Sequence, residues 1–147
     1  LLFLPLIIIL VVVRLTSRGS PIFAQERVGY RGKTFTLFKI RTMLERRKSD
    51  SGIFTEEQDS RITPLGGWLR RHRIDEWPQF LNVLKGDMSL IGPRPDFYDH
   101  ALSFLEQVPS YRFRHKIRPG ITGLSQIRLG YAEGLNATKK KSKIDIY

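Results

Sequence analysis

Two carboxylates stand side by side in Arg73-Ile74-Asp75-Glu76-Trp77-Pro78, directly after a basic cluster at Arg70, Arg71 and Arg73. Carboxylates among cations suit attack on phosphorus, where an anionic nucleophile must approach an anionic centre and Arg, Lys or a divalent cation has to cancel the repulsion. At a predicted helix start Asp75 is expected to stay ionised, and the amide-rich terminus to accept a second anion such as phosphate. Glu76 could hold a metal through oxygen, the ligand type that magnesium prefers. Lys39, Arg41, Arg73, Arg94 and Arg118 are the candidate cations. Each residue also has a plainer reading. Asp75 is a good helix N-cap, Glu76 an ordinary first-turn acid, and Lys39 and Arg41 exposed strand charges. Arg94 lies between Pro93 and Pro95, so a stiff irregular loop carries it to a fixed place, either for an anion or for loop packing.

Other chemistries are excluded. The 147 residues contain no cysteine, so disulfides and thiol nucleophiles are absent, and His72, His100 and His115 lack metal-ligand spacing. No P-loop, GxGxxG or HExxH occurs. The net charge of +11 points to an anionic partner or to a solvated basic surface. Hydrophobic residues make up 41% of the chain, which argues against a disordered polycation. A membrane-tethered protein that binds nucleic acid or anionic lipid without catalysis is the competing class. Acidic Asp75, Glu76, Asp87, Asp96 and Asp99 interrupt the middle of the chain where a binding stripe should run, so no nucleic acid is expected.

The elements that must position these residues follow from pattern. Ser20 to Val28 and Thr34 to Arg41 read as strands of a hairpin with a glycine-containing loop at 29–33. A change of apolar parity near Leu37 implies a bulge or kink. Residues 45–60 are polar and read as a loop or short exposed helix. Thr63-Pro64 opens a helix with Leu65, Trp68 and Leu69 as its apolar stripe. Asp75 opens a second with Trp77, Phe80, Leu81 and Leu84 at helical spacing, stopped by Gly86. Both tryptophans read as core or membrane-interface anchors. Residues 90–95 are expected to be irregular, Phe97 to Val108 helical with Phe97, Ala101, Phe104 and Val108 inward, and Arg118-Pro119-Gly120 a type II turn.

Leu1 to Val13 is an unbroken apolar run followed by Arg14 and Arg18. Thirteen helical residues reach about 20 Å, short of a bilayer core of about 30 Å. Pro5 is expected to break the helix and can turn a membrane segment back on itself; a truncated spanning helix is the alternative. The cations after the run put residue 14 onward on the cytoplasmic face. With no initiating Met, the chain is expected to be truncated at its N-terminus.

The ordered motifs QERVGYRGKTFTLFKIRTM, DSRITPLGGWLRR, RIDEWPQFLNVLKGDMSLIGPRP and RPGITGLSQI cover about Ser20 to Gln126 and resemble the bacterial sugar transferase family, the monotopic polyprenyl-phosphate phosphoglycosyl transferases. The resemblance implies a small mixed α/β domain with a β-hairpin and several short helices. It attaches to a re-entrant membrane helix, with residues 1–18 membrane-associated and 19–147 a cytoplasmic catalytic domain whose C-terminus is truncated. It implies transfer of a phosphosugar from a UDP-sugar to undecaprenyl phosphate at the bacterial inner membrane, releasing UMP, as the first membrane step of glycoconjugate biosynthesis. By the same resemblance Asp75 is the nucleophile of a covalent intermediate and Glu76 its magnesium-binding partner. Lys39, Arg41, Arg73, Arg94, Arg118 and Gln126 are then the substrate- and phosphate-binding set. Two departures are Leu4-Pro5, where many members have Ser-Pro, and Ile127-Arg128-Leu129-Gly130, where many have Val-Asn-Gly-Arg.

Overall fold

A computed structural model describes residues 3–44, 59–130 and 135–145. Most of the expected loop at 45–60 lies outside the described residues. The fold is a small mixed α/β arrangement with a two-stranded hairpin, a second two-stranded sheet and several helices. It divides into two units. The first comprises 1–23 and 38–78, the second 24–37 and 79–147.

The hairpin forms where its alternation and glycines call for it, as β1 (Ile22–Val28) and β2 (Thr34–Ile40). Its loop is a 3-10 turn at Tyr30–Gly32, with Arg31 at φ 55° and Gly32 at φ 75°. The Gly29 N–H donates to Lys33 O at 2.8 Å. Leu37 and Ile40 are both buried although three residues apart, the parity change that the sequence carries.

In the first unit, helix α1 (Phe3–Thr16) and helix α2 (Pro64–Arg71) share a core of Val13, Ile40 and Leu69, flanked by Leu6, Ile9, Leu10, Leu65 and Ile74. Leu6, Ile9, Leu10 and Val13 are one face of α1. Its other face is apolar too, and Leu4, Ile7, Ile8, Val11 and Leu15 are exposed. Pro5 falls within the first described turn, and the described helix, Phe3–Thr16, contains it without a break. Among the described residues no helix is long and apolar enough to cross a membrane. Helix α2 starts as its sequence demands, with the Thr63 side chain accepting from the Gly66 N–H at 2.9 Å and Pro64 in the first turn. Leu69 is fully buried, but Trp68 is about half exposed (48%), so it is not a core residue. Gly66 lets α2 lie against the backbone of Thr42, where a Cβ would overlap the Thr42 carbonyl oxygen and come within 2.8 Å of its Cα.

In the second unit, α3 (Gln79–Lys85) is shorter than expected and begins after Pro78 rather than at Asp75. Its inward residues are polar. Gln79 and Asn82 are buried, while Phe80, Leu81 and Leu84 are exposed. Asn82 explains the inversion: its Nδ2 donates to Thr36 O at 2.7 Å, and its main-chain carbonyl accepts from the Asp87 N–H at 3.0 Å, where Gly86 at φ 83° ends the helix. Helix α4 (Tyr98–Gln107) follows its predicted face, with Ala101, Val108 and Phe104 packing on Val28 and Tyr111.

The expectation of irregular chain at 90–95 holds only from Gly92 onward. Residues Ser89–Ile91 form β3, parallel to β4 (Gly120–Thr122), with Ser89 opposite Gly120 and Ile91 opposite Thr122. Gly120 is accordingly a strand residue and not the second half of a type II turn. It is glycine because a Cβ there would strike the Gly92 amide nitrogen. Helices α5 (Leu124–Leu129) and α6 (Leu135–Ile144) complete the unit, together with a 3-10 segment at Tyr111–Lys116.

The two glycines of α2 make opposite predictions. Gly66→Ala should cost about 2–3 kcal/mol by forcing α2 off Thr42, read as a lowered urea midpoint. Among the described residues Gly67→Ala meets only Ile62 Cγ2, at 3.8 Å, and should be neutral or stabilising.

Candidate functional site

The first unit gathers Lys39, Arg41, Arg73, Asp75 and Glu76. After α2 ends, Arg73 turns the chain by adopting the left-handed conformation (φ 57°, ψ 18°), and its N–H donates to Arg70 O at 3.1 Å. Glycine normally supplies that conformation at a helix end; a residue with a Cβ costs about 1–2 kcal/mol there. The reversal starts a 3-10 turn at Ile74–Glu76, closed by the Glu76 N–H to Arg73 O (3.3 Å) and the Trp77 N–H to Ile74 O (3.1 Å). Both carboxylates are thereby held inside, with Asp75 8% and Glu76 6% exposed.

Glu76 faces two cations at the long end of ion-pair distance. Lys39 Nζ stands 3.5 Å from Oε1 and Arg73 Nη1 3.8 Å from Oε2. The Arg73 side chain is over half exposed, so that contact contributes little. Burial raises the Asp75 carboxyl above its ordinary range; Lys39 opposes this, Glu76 adds to it, and Arg70 and the Asp75 amide oppose it. The expected helix start is corrected: the residue sits in a three-residue turn, where desolvation outweighs the amides in shifting its carboxyl. Nor does Asp75 act as cap of α3.

Arg41 is tied to the end of α1, its Nη2 donating to Ser17 O and Ser17 Oγ, both at 2.8 Å. Arg70 was missed as an individual. Its Nε donates to Thr42 Oγ1 at 2.8 Å and its charge acts on Asp75. The signal was present: Gly66 and Arg70 lie four apart on α2, and both meet Thr42.

The second unit holds Arg94, Arg118 and Gln126. Arg94 is half-buried in the Gly92–Asp96 loop, and its charge, after burial itself, helps to push the Arg27 guanidinium down to about 10. Arg118 is exposed just before β4. Gln126, on α5, donates from Nε2 to Ile121 O at 3.5 Å, while its buried Oε1 has no hydrogen-bond partner among the described residues.

The model of the family described as bacterial sugar transferase matches residues 1–147. The chain belongs to that family. The UDP-N-acetylgalactosamine-undecaprenyl-phosphate N-acetylgalactosaminephosphotransferase of Aeromonas hydrophila is 42% identical over 137 residues, covering 93% of this chain and 32% of that protein. The UDP-glucose:undecaprenyl-phosphate glucose-1-phosphate transferase of Klebsiella pneumoniae is 39% identical over 143 residues (96% of this chain, 31% of that protein). A protein of the same name in Caulobacter vibrioides is 39% identical over 148 residues (99% and 55%). The chain thus spans about a third of the length of the first two bacterial sugar transferases and just over half of the third. Their names carry different sugars.

Two measurements follow from the electrostatics of this bacterial sugar transferase. Lys39→Met removes the strongest cationic influence on Asp75, so the Asp75 midpoint should move further upward in a carboxyl 13C NMR titration; an unchanged or lowered midpoint contradicts the geometry. A carboxyl whose pKa rises on folding adds stability below its unfolded pKa and loses it as pH rises through the folded one. At pH 8 Asp75→Asn should therefore leave the thermal midpoint unchanged or raise it, whereas a fall would mean that the ionised form is stabilising.

Proposed function

We propose that the chain carries the catalytic residues of a phosphoglycosyl transferase that moves a phosphosugar from a UDP-sugar to undecaprenyl phosphate and releases UMP. The observation that carries the reading is the buried Asp75 and Glu76 pair, set against Lys39 and Arg73 in a turn that fixes both carboxylates. The names of the relatives support the substrate classes.

An Asp75 oxygen attacks the phosphorus that bears the sugar, and the bond from that phosphorus to the UMP oxygen breaks, so UMP leaves with the electron pair. An oxygen of the lipid phosphate then attacks the same phosphorus, and Asp75 leaves as carboxylate. A desolvated, more basic carboxylate is the better nucleophile once ionised, and Lys39 favours that ionised state. Arg41, Arg73, Arg94, Arg118 and Gln126 serve the phosphates and the nucleotide in this reading.

Magnesium takes oxygen ligands, one or two carboxylates with substrate phosphates and water completing the shell, and the adjacent carboxylates of Asp75 and Glu76 are of that donor type. Glu76 would hold it, and the ion would supply charge neutralisation at the diphosphate.

Residues 1–18 act in this proposal as a re-entrant membrane helix, with the catalytic residues at the cytoplasmic face of the bacterial inner membrane. Helix α1 is apolar on both faces and covered on one, and Arg14 and Arg18 follow it. Such a face belongs against lipid rather than water. The reaction would be the first membrane step in building an exopolysaccharide, capsule, O-antigen or glycoprotein glycan.

Incubation with a panel of UDP-sugars, without lipid acceptor, tests the reading. The correct donor should release up to one UMP per protein and leave a phosphosugar mass on Asp75. Asp75→Asn should abolish both; UMP release by that variant at a near wild-type rate excludes the covalent role.

A further inference from the structure

We propose that Arg114 is a positioning residue for Arg94, and that through it the turn after α6 controls the geometry of the Gly92–Asp96 loop. This rests on the reading that Arg94 handles substrate phosphate.

The Arg114 side chain is 3% exposed, and each of its three nitrogens has a separate task. Nη2 donates to the carbonyl of Arg94 itself at 3.2 Å. Nη1 donates to Asp96 Oδ2 at 2.5 Å, and Nε to Asp145 Oδ2 at 2.9 Å. Asp145, whose side chain is 2% exposed, directly follows α6. Tyr111 completes the Asp96 site, its hydroxyl donating to the same Oδ2 at 2.7 Å.

The rest of the loop is held by its backbone. The Gly92 N–H donates to Thr122 O at 2.9 Å and the Gly120 N–H to Pro93 O at 3.0 Å. Arg27 Nη1 donates to Pro95 O at 3.2 Å, and the Val28 N–H to Asp96 O at 3.2 Å. Between these points the carbonyl of residue 94 accepts from Arg114.

A buried ion network is a weak source of net stability, because desolvation offsets the attraction, but it fixes geometry. Only a planar guanidinium can present three donors along these directions at once. A lysine would keep the charge and lose the fork. A shallow concavity beside the loop is lined by Arg94, Asp96, Arg114 and His115, so the network adjoins the surface next to Arg94.

Asp145→Asn, the milder change, and Arg114→Lys test this in the full chain. Each should lower kcat/KM for UMP release at least tenfold, yet less than twofold when Arg94 is already alanine. A purely structural role predicts that the losses multiply, and multiplication overturns the proposal. Hydrogen exchange provides an arm independent of activity. Exchange should accelerate at the Val28 and Gly120 amides while Ala101 and Val108, in the core beneath, keep their protection. Unchanged exchange at the two amides, or loss of protection throughout the core, overturns it. If the unsubstituted protein releases no UMP from any donor, the functional reading fails, and the exchange result alone decides whether Arg114 sets the loop.

Discussion

Two adjacent carboxylates taken out of water are the constraint on which the first unit is built. Removing Asp75 and Glu76 from solvent raises the energy of their charged forms, so the surrounding chain has to supply cations and a rigid turn. Strand β2 brings Lys39 to within 3.5 Å of Glu76, and α2 brings Arg70 close enough to act on Asp75. Helix α2 can do so because Gly66 lies directly on Thr42. The reversal at Arg73 then aims both acids inward at a conformational cost that an ordinary helix end would avoid. Local strain, at Arg73, and desolvation, at Asp75 and Glu76, thus fall within four consecutive residues.

Much of this was legible in the residues alone. The Thr63-Pro64 cap located α2, the alternation around a glycine-bearing loop located the hairpin, and the spacing of Ala101, Phe104 and Val108 gave the inner face of α4. The paired acids were conspicuous because few other groups in a cysteine-free chain can react. The turn that holds them was hidden, since its decisive residue is an arginine in a conformation that sequence reasoning reserves for glycine or asparagine. Strands of three residues are too short to show a period, so β3 and β4 were invisible, and Gly120 of β4 read as a turn signal.

Periodicity also failed in an instructive way on α3. The spacing of Phe80, Leu81 and Leu84 states that an apolar face exists, not what covers it, and the buried face carries Gln79 and Asn82 instead. Asn82 was unreadable because its value lies in a bond to Thr36 O, forty-six residues earlier. Arg70 and Arg114 escaped for a similar reason. A residue that acts by holding another has no chemical signature of its own, and its partner is distant in the chain.

The seam between β3 and β4 has an implication for how such proteins diversify. At Gly92, Gly120 and Gly123 the two backbones approach so closely that even a methyl group would collide with peptide atoms. Drift in that stretch is therefore confined to the outward positions, Leu90, Ile91, Thr122 and Leu124, whose side chains can be exchanged without prising the chains apart. The framework that carries Arg94 and Arg118 can therefore be altered by side-chain replacement only on its outward side.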